Sequence, residues 1–95
     1  MINKKIKAAR VAAIAEGISE LSLMPFNPTW VAPDPLEIRA LLSFAGFTGS
    51  QVGSLVGVDS RTVRRWTGGD RKISYAVWAI LVSAAGLGEL WKKEQ

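Results

Sequence analysis

Residues 60–66 read SRTVRRW, and the three arginines in that run are the side chains of this chain best placed to do chemistry. On a helix, at about 100° per residue, Arg61, Arg64 and Arg65 fall within roughly 100° of one another. Val63 and Trp66 fall on the opposite side, about 60° apart. One face is therefore apolar and suited to anchoring, while the other carries three guanidiniums and no carboxylate. Such a cluster repels itself and adds nothing to an isolated fold. Opposite a polyanion it becomes favourable, and the planar fork of arginine matches phosphate oxygens or a guanine edge. A solvated basic helix face is the plain alternative for RxxRR alone. The elements in front of it favour nucleic acid.

Other chemistries lack their residues. The 95-residue chain has no cysteine and no histidine, which excludes a disulfide framework, a Cys/His zinc site and a histidine-based triad. Its eight acidic residues are scattered, without the spacing of a carboxylate metal site or a calcium loop. No enzyme, metal or cofactor is expected. The net charge of +4 favours an acidic partner, with basic residues gathered at 4–10, at 61–72 and at Lys92–Lys93.

The arginines need elements to hold them, and residues 48–69 (TGSQVGSLVGVDSRTVRRWTGG) supply two short helices and a tight turn. Thr48 and Gln51 have the spacing of a capping box. Gly57 suits a left-handed break, Asp59 suits the cap of a second helix beginning near Ser60, and Gly68–Gly69 ends it.

This stretch resembles the helix-turn-helix of lambda-repressor-like (XRE-type) DNA-binding domains. Gly53 sits four residues before the turn glycine Gly57, where the two helices of that family approach closely. Val52, Val56, Val58, Val63 and Trp66 occupy positions that the family buries, and GVDSRTVRRW matches its turn and recognition helix. The likeness covers residues 36–87. Gly53 stands where alanine is more usual, which is expected to weaken the first helix, and Thr67 stands where an acidic residue often follows the tryptophan.

The resemblance implies an all-α fold, a helix-turn-helix domain of four to five helices, here with an extra N-terminal helix. It implies a sequence-specific regulator of transcription, a homodimeric repressor of phage or plasmid type, on an inverted-repeat site in double-stranded DNA. The recognition helix, about residues 60–67, would enter the major groove, with Ser60, Arg61, Arg64 and Arg65 reading bases. Ser50, Gln51, Arg71 and Lys72 would hold phosphates, since in this family the segment after the recognition helix runs along the backbone.

The remaining chain divides into an N-terminal helical arm (1–23), a proline-rich linker (24–35) and the helix-turn-helix domain (36–95). Residues 3–22 favour helix, with Val11, Ile14, Ile18 and Leu21 as the packing stripe and Gly17 as a point of bending or division. Lys4, Lys5, Lys7 and Arg10 form either the solvated side of that helix or a basic arm on DNA backbone. The uncharged run at 11–15 is too short for a secretory signal, so a cytoplasmic protein is expected. All four prolines lie in 24–35, where Phe26, Trp30 and Val31 are too apolar for a free tether.

A first domain helix should run from 34 or 35 to about 45, with Ile38, Leu41, Leu42 and Ala45 as its core stripe and Arg39 facing away. Ser74 should cap a helix over 75–85, apolar nearly all round and so buried on every side, and too short to span a bilayer. Tyr75, Trp78, Val82, Leu87, Leu90 and Trp91 are the residues expected to serve packing or a dimer interface. Two competing readings remain: an excisionase-like architectural factor, and an antitoxin-like module gripping a protein through Phe26, Trp30 and Trp91.

Overall fold

A computed structural model of the chain describes residues 4–92. It contains five α-helices and one short 3-10 turn, with no strand among the described residues: α1 (Lys4–Ala15), the 3-10 turn (Glu20–Leu23), α2 (Pro35–Ala45), α3 (Gly49–Val56), α4 (Ser60–Gly68) and α5 (Tyr75–Ala84). The fold is all-α, a helix-turn-helix with an additional N-terminal helix. No helix among the described residues is long and apolar enough to cross a membrane.

Helices α2 to α5 begin where a side chain takes up free amides of the first turn. Asp34 and Glu37 form a reciprocal capping box on α2, with Pro35 in its first turn. Thr48 and Gln51 do the same for α3, at 2.9 and 3.1 Å. Asp59 caps α4 and Ser74 caps α5.

Gly53 is needed for packing. A Cβ at this position would lie 2.5 Å from the Val58 carbonyl oxygen, so α3 can meet the turn leading into α4 only without a side chain here. The alanine usual in the resembling family would collide with backbone in this geometry, and the lost helix propensity of glycine is secondary.

The core is one cluster to which every helix contributes: Ala13 from α1, Ile38 and Leu41 from α2, Val52 from α3, Val63 and Trp66 from α4, and Trp78, Leu81 and Val82 from α5. Ile18, Leu23, Ile73, Leu87 and Leu90 complete it from the connections. Trp78 is fully buried, and its indole Nε1 donates to the Ser22 carbonyl at 2.8 Å, tying α5 to the 3-10 turn.

Several sequence expectations are corrected here. The helix over 3–22 is divided at Gly17, the expected point of division, whose φ is 108°, but beyond it the chain forms the 3-10 turn and no further α-helix before α2; Asn3 lies outside the described residues. Of the expected stripe only Ile18 is buried; Val11, Ile14 and Leu21 are exposed, and α1 packs through Ala9 and Ala13 instead. Helix α5 is not buried all round, since Ala76, Ile80 and Ala84 are exposed. Trp78, Val82, Leu87 and Leu90 are buried in their own chain's core, which leaves Ile80 and Trp91 as the large exposed apolar residues at that end.

The linker lies on the body. Trp30 packs edge-on against Tyr75 with ring centroids 5.3 Å apart, and Phe26 meets Tyr75 at the same separation. Trp30 Nε1 and the Tyr75 hydroxyl are buried there without a hydrogen-bond partner. Val31 is exposed.

Candidate nucleic-acid interface

Helix α4 is fixed at both ends and along one side. At its start the Asp59 carboxylate accepts from the Thr62 amide at 2.8 Å and from the Thr62 hydroxyl at 2.9 Å. The amide hydrogen bond, then the hydroxyl, and to a lesser degree the nearby Arg61 and Arg65 charges hold this carboxyl below its ordinary pKa. Its end is closed by Gly69 in the left-handed conformation, whose amide bonds back to the Arg65 and Trp66 carbonyls. Val63 and Trp66 are buried beneath it. Arg39 of α2 adds a strap: its Nη1 donates to the Thr67 carbonyl at 2.6 Å, setting a cation against the carbonyl end of α4.

The opposite face is open. Ser60, Arg61, Arg64 and Arg65 are all exposed, and none of the three arginines makes an ion pair among the described residues. Arg64 Nη1 reaches the Ser60 hydroxyl at 3.4 Å, a long contact that leaves most of its donors unused. Ser50 and Gln51 are exposed in the first turn of α3, where amides not used by the helix point outward. The Gln51 Oε1 is occupied by the Thr48 amide, so its side-chain NH2 is the group left to donate. Arg71 and Lys72 are exposed after α4 and line a cleft of about 200 Å³ together with Pro33, Pro35 and Trp66.

Cations elsewhere are differently placed. Arg10 is turned into the protein, its Nε donating to the Leu87 carbonyl at 2.6 Å, and burial pulls its pKa down. Lys4, Lys5 and Lys7 remain exposed on α1. Lys92 pairs with Glu89 at 2.7 Å, and Lys93 lies outside the described residues. Trp30 is half-buried against Tyr75, so of the three aromatic anchors considered for a protein partner, Phe26 and Trp91 are exposed.

The chain can also be set beside known proteins. Two curated relatives, both named "Transcriptional repressor protein KorC" and both from Escherichia coli, match most of its length. One is 50% identical over 66 residues, covering 66% of this chain and 78% of the relative. The other is 43% identical over 67 residues, covering 67% of this chain and 79% of the relative. The chain belongs to the KorC family of transcriptional repressors. It matches no family model and no solved structure.

In this KorC-family chain two positioning residues escape a reading of local pattern. Arg39 has only its outward place on α2 to mark it, yet it straps α4. Glu37 looks like half of a capping box, but its Oε1 also accepts from the Ser19 amide at 2.8 Å and the Ser22 hydroxyl at 3.3 Å, fastening the N-terminal segment to α2. Neither partner lies within one helical turn, so spacing gives no signal for them.

Proposed function

We propose that the chain is a homodimeric repressor that reads an inverted-repeat operator in double-stranded DNA, with α4 in the major groove in the lambda-repressor-like manner its sequence resembles. The observation that carries this reading is the outer face of α4, where Arg61, Arg64 and Arg65 stand exposed, with no ion pair among the described residues, above a buried Val63 and Trp66. Uncompensated guanidiniums on a rigid, doubly capped helix suit base edges and phosphates. The repressor names of the KorC relatives support the same reading.

In this scheme Ser60, Arg61, Arg64 and Arg65 read bases. Ser50, the Gln51 side-chain NH2, Arg71 and Lys72 contact phosphates and set the docking angle. A two-fold dimer would place its half-site centres about one helical turn apart, ~34–36 Å. Repression follows from covering a promoter. An excisionase-like architectural role would call for a β-wing after α4, whereas α4 is followed by a loop and α5.

The test is selection from a randomised duplex pool at two salt concentrations. Enrichment of one inverted repeat is the expected result. Salt-sensitive binding with no enriched sequence would replace this reading with an architectural one, and no binding at either salt would overturn it.

A further inference from the structure

We propose that the outward face of α1, with the 3-10 turn beyond it, is the surface on which a second copy of this chain docks. The proposal rests on the dimeric reading above and names the surface that reading needs.

Helix α1 turns Ile6, Ala9, Arg10 and Ala13 toward the body of the protein and leaves Val11 and Ile14 outside. Ala9 and Ala13 meet the core, whereas Val11 is 63% exposed and Ile14 is 40% exposed. Lys7, Val11 and Ile14 are spaced four and three apart, so they share one face. Between this face and the 3-10 turn runs a groove of about 280 Å³, lined by Lys7, Arg10, Val11 and Ile14 on one side and by Glu20, Leu23 and Met24 on the other; Arg10 is already engaged with the Leu87 carbonyl. Met24 also lines a neighbouring groove that holds Leu21 and Val31, which continues the apolar surface. Six of the ten large exposed apolar side chains among the described residues lie between positions 11 and 31. An apolar surface concentrated in this way marks an interaction site.

Charge identifies the occupant. The α1 rim of the groove is basic through Lys7, and the opposite rim carries the exposed Glu20. Neither is ion-paired among the described residues. A two-fold axis repeats every contact with the roles exchanged. An antiparallel second copy therefore sets Lys7 of each chain against Glu20 of the other and lays Val11 and Ile14 of both into one apolar seam. A polyanion gains nothing from Glu20, Val11 or Ile14.

The experiment is sedimentation equilibrium of the full chain without DNA, with circular dichroism confirming that each variant is folded. The wild-type protein should show twice the 10.3 kDa chain mass. Val11→Glu and Ile14→Glu alter exposed residues and should each weaken the dimer by about a hundredfold. Lys7→Glu should weaken it about tenfold, and adding Glu20→Lys should restore it. Ile80→Glu and Trp91→Glu should leave it intact. A wild-type monomer, or a dimer that survives Val11→Glu and Ile14→Glu, would overturn the proposal, as would dissociation by Ile80→Glu or Trp91→Glu alone. Failure of the charge exchange to restore the dimer would overturn the antiparallel pairing. Mass is read here without DNA, so this result is separable from the operator selection.

Discussion

Helices α1 and α4 are both short and basic, yet they are used in opposite senses. In α4 the large residues Val63 and Trp66 point inward, and the three guanidiniums stand exposed, without an ion pair among the described residues. In α1 Ala9 and Ala13 point inward, Val11 and Ile14 point outward, and Arg10 is drawn inside to the Leu87 carbonyl. A cation's role follows from what lies across the helix from it. Where the opposite face holds a bulky anchor, the charge is free for a partner. Where the neighbouring segment offers an unsatisfied carbonyl, arginine is used up as an internal donor. A count of basic residues would have treated the two helices alike.

The contrast can be broken most forcefully at the α4 anchor. Trp66→Ala should destabilise the fold by about 3–5 kcal/mol in chemical denaturation, whereas Val11→Ala on the outer face of α1 should stay within about 0.5 kcal/mol in the isolated chain. Equal losses would mean that α1 is anchored through its large residues after all. Tight approaches come next. Gly53→Ala drives a methyl group against the Val58 carbonyl, and Ala13→Leu overfills a fully buried site; each should cost about 1–3 kcal/mol.

Arg64→Ala or Arg65→Ala should leave the melting temperature unchanged and weaken cognate DNA binding by about 1–3 kcal/mol, with relaxed specificity. An equal loss on random duplex would move that arginine from base to backbone. The smallest effect sharpens the comparison at the α4 cap. The folded state lowers the pKa of Asp59, so its contribution is complete above its unfolded value and fades as pH falls through the lower folded one. The melting temperature of Asp59→Ala should lie below wild type at neutral pH, and the gap should close at acid pH. A gap that widens with acid would contradict the sign.

The caps of α2, α3, α4 and α5 were legible in the sequence because capping joins residues at most three apart. The two faces of α4 were legible for a similar reason, since one side of the wheel is charged and the other apolar. Helix α1 defeated the same method because alanines line one side of its wheel, and Val11 and Ile14 another. Contacts distant in sequence decided between them: the inner side, with Ile6, Ala9, Arg10 and Ala13, runs close to Gly88, where a Cβ would lie 3.1 Å from Ile6. Hydropathy carries no such information. For Leu87 and Leu90 the sequence left core packing and a dimer interface open, because the chain turns beneath α1 only after α5 ends. The strap from Arg39 and the inward turn of Arg10 gave no signal because their acceptors lie 28 and 77 residues away, beyond any local period.

The Arg10–Leu87 hydrogen bond also orders events in time. Ribosomes add roughly 5–20 residues per second, so a chain that has just produced Arg10 waits roughly 4–15 s for the residue that accepts from it, 77 positions later. Throughout that interval α1 lacks its internal acceptor and the part of its seat supplied by the chain after α5, although α2, against which it also packs, is made earlier. Helix α1 is thus made before α2 to α5 yet fully secured only after them, and that segment of a nascent chain stays open to chaperones, or to another nascent chain, until residue 87 has been added.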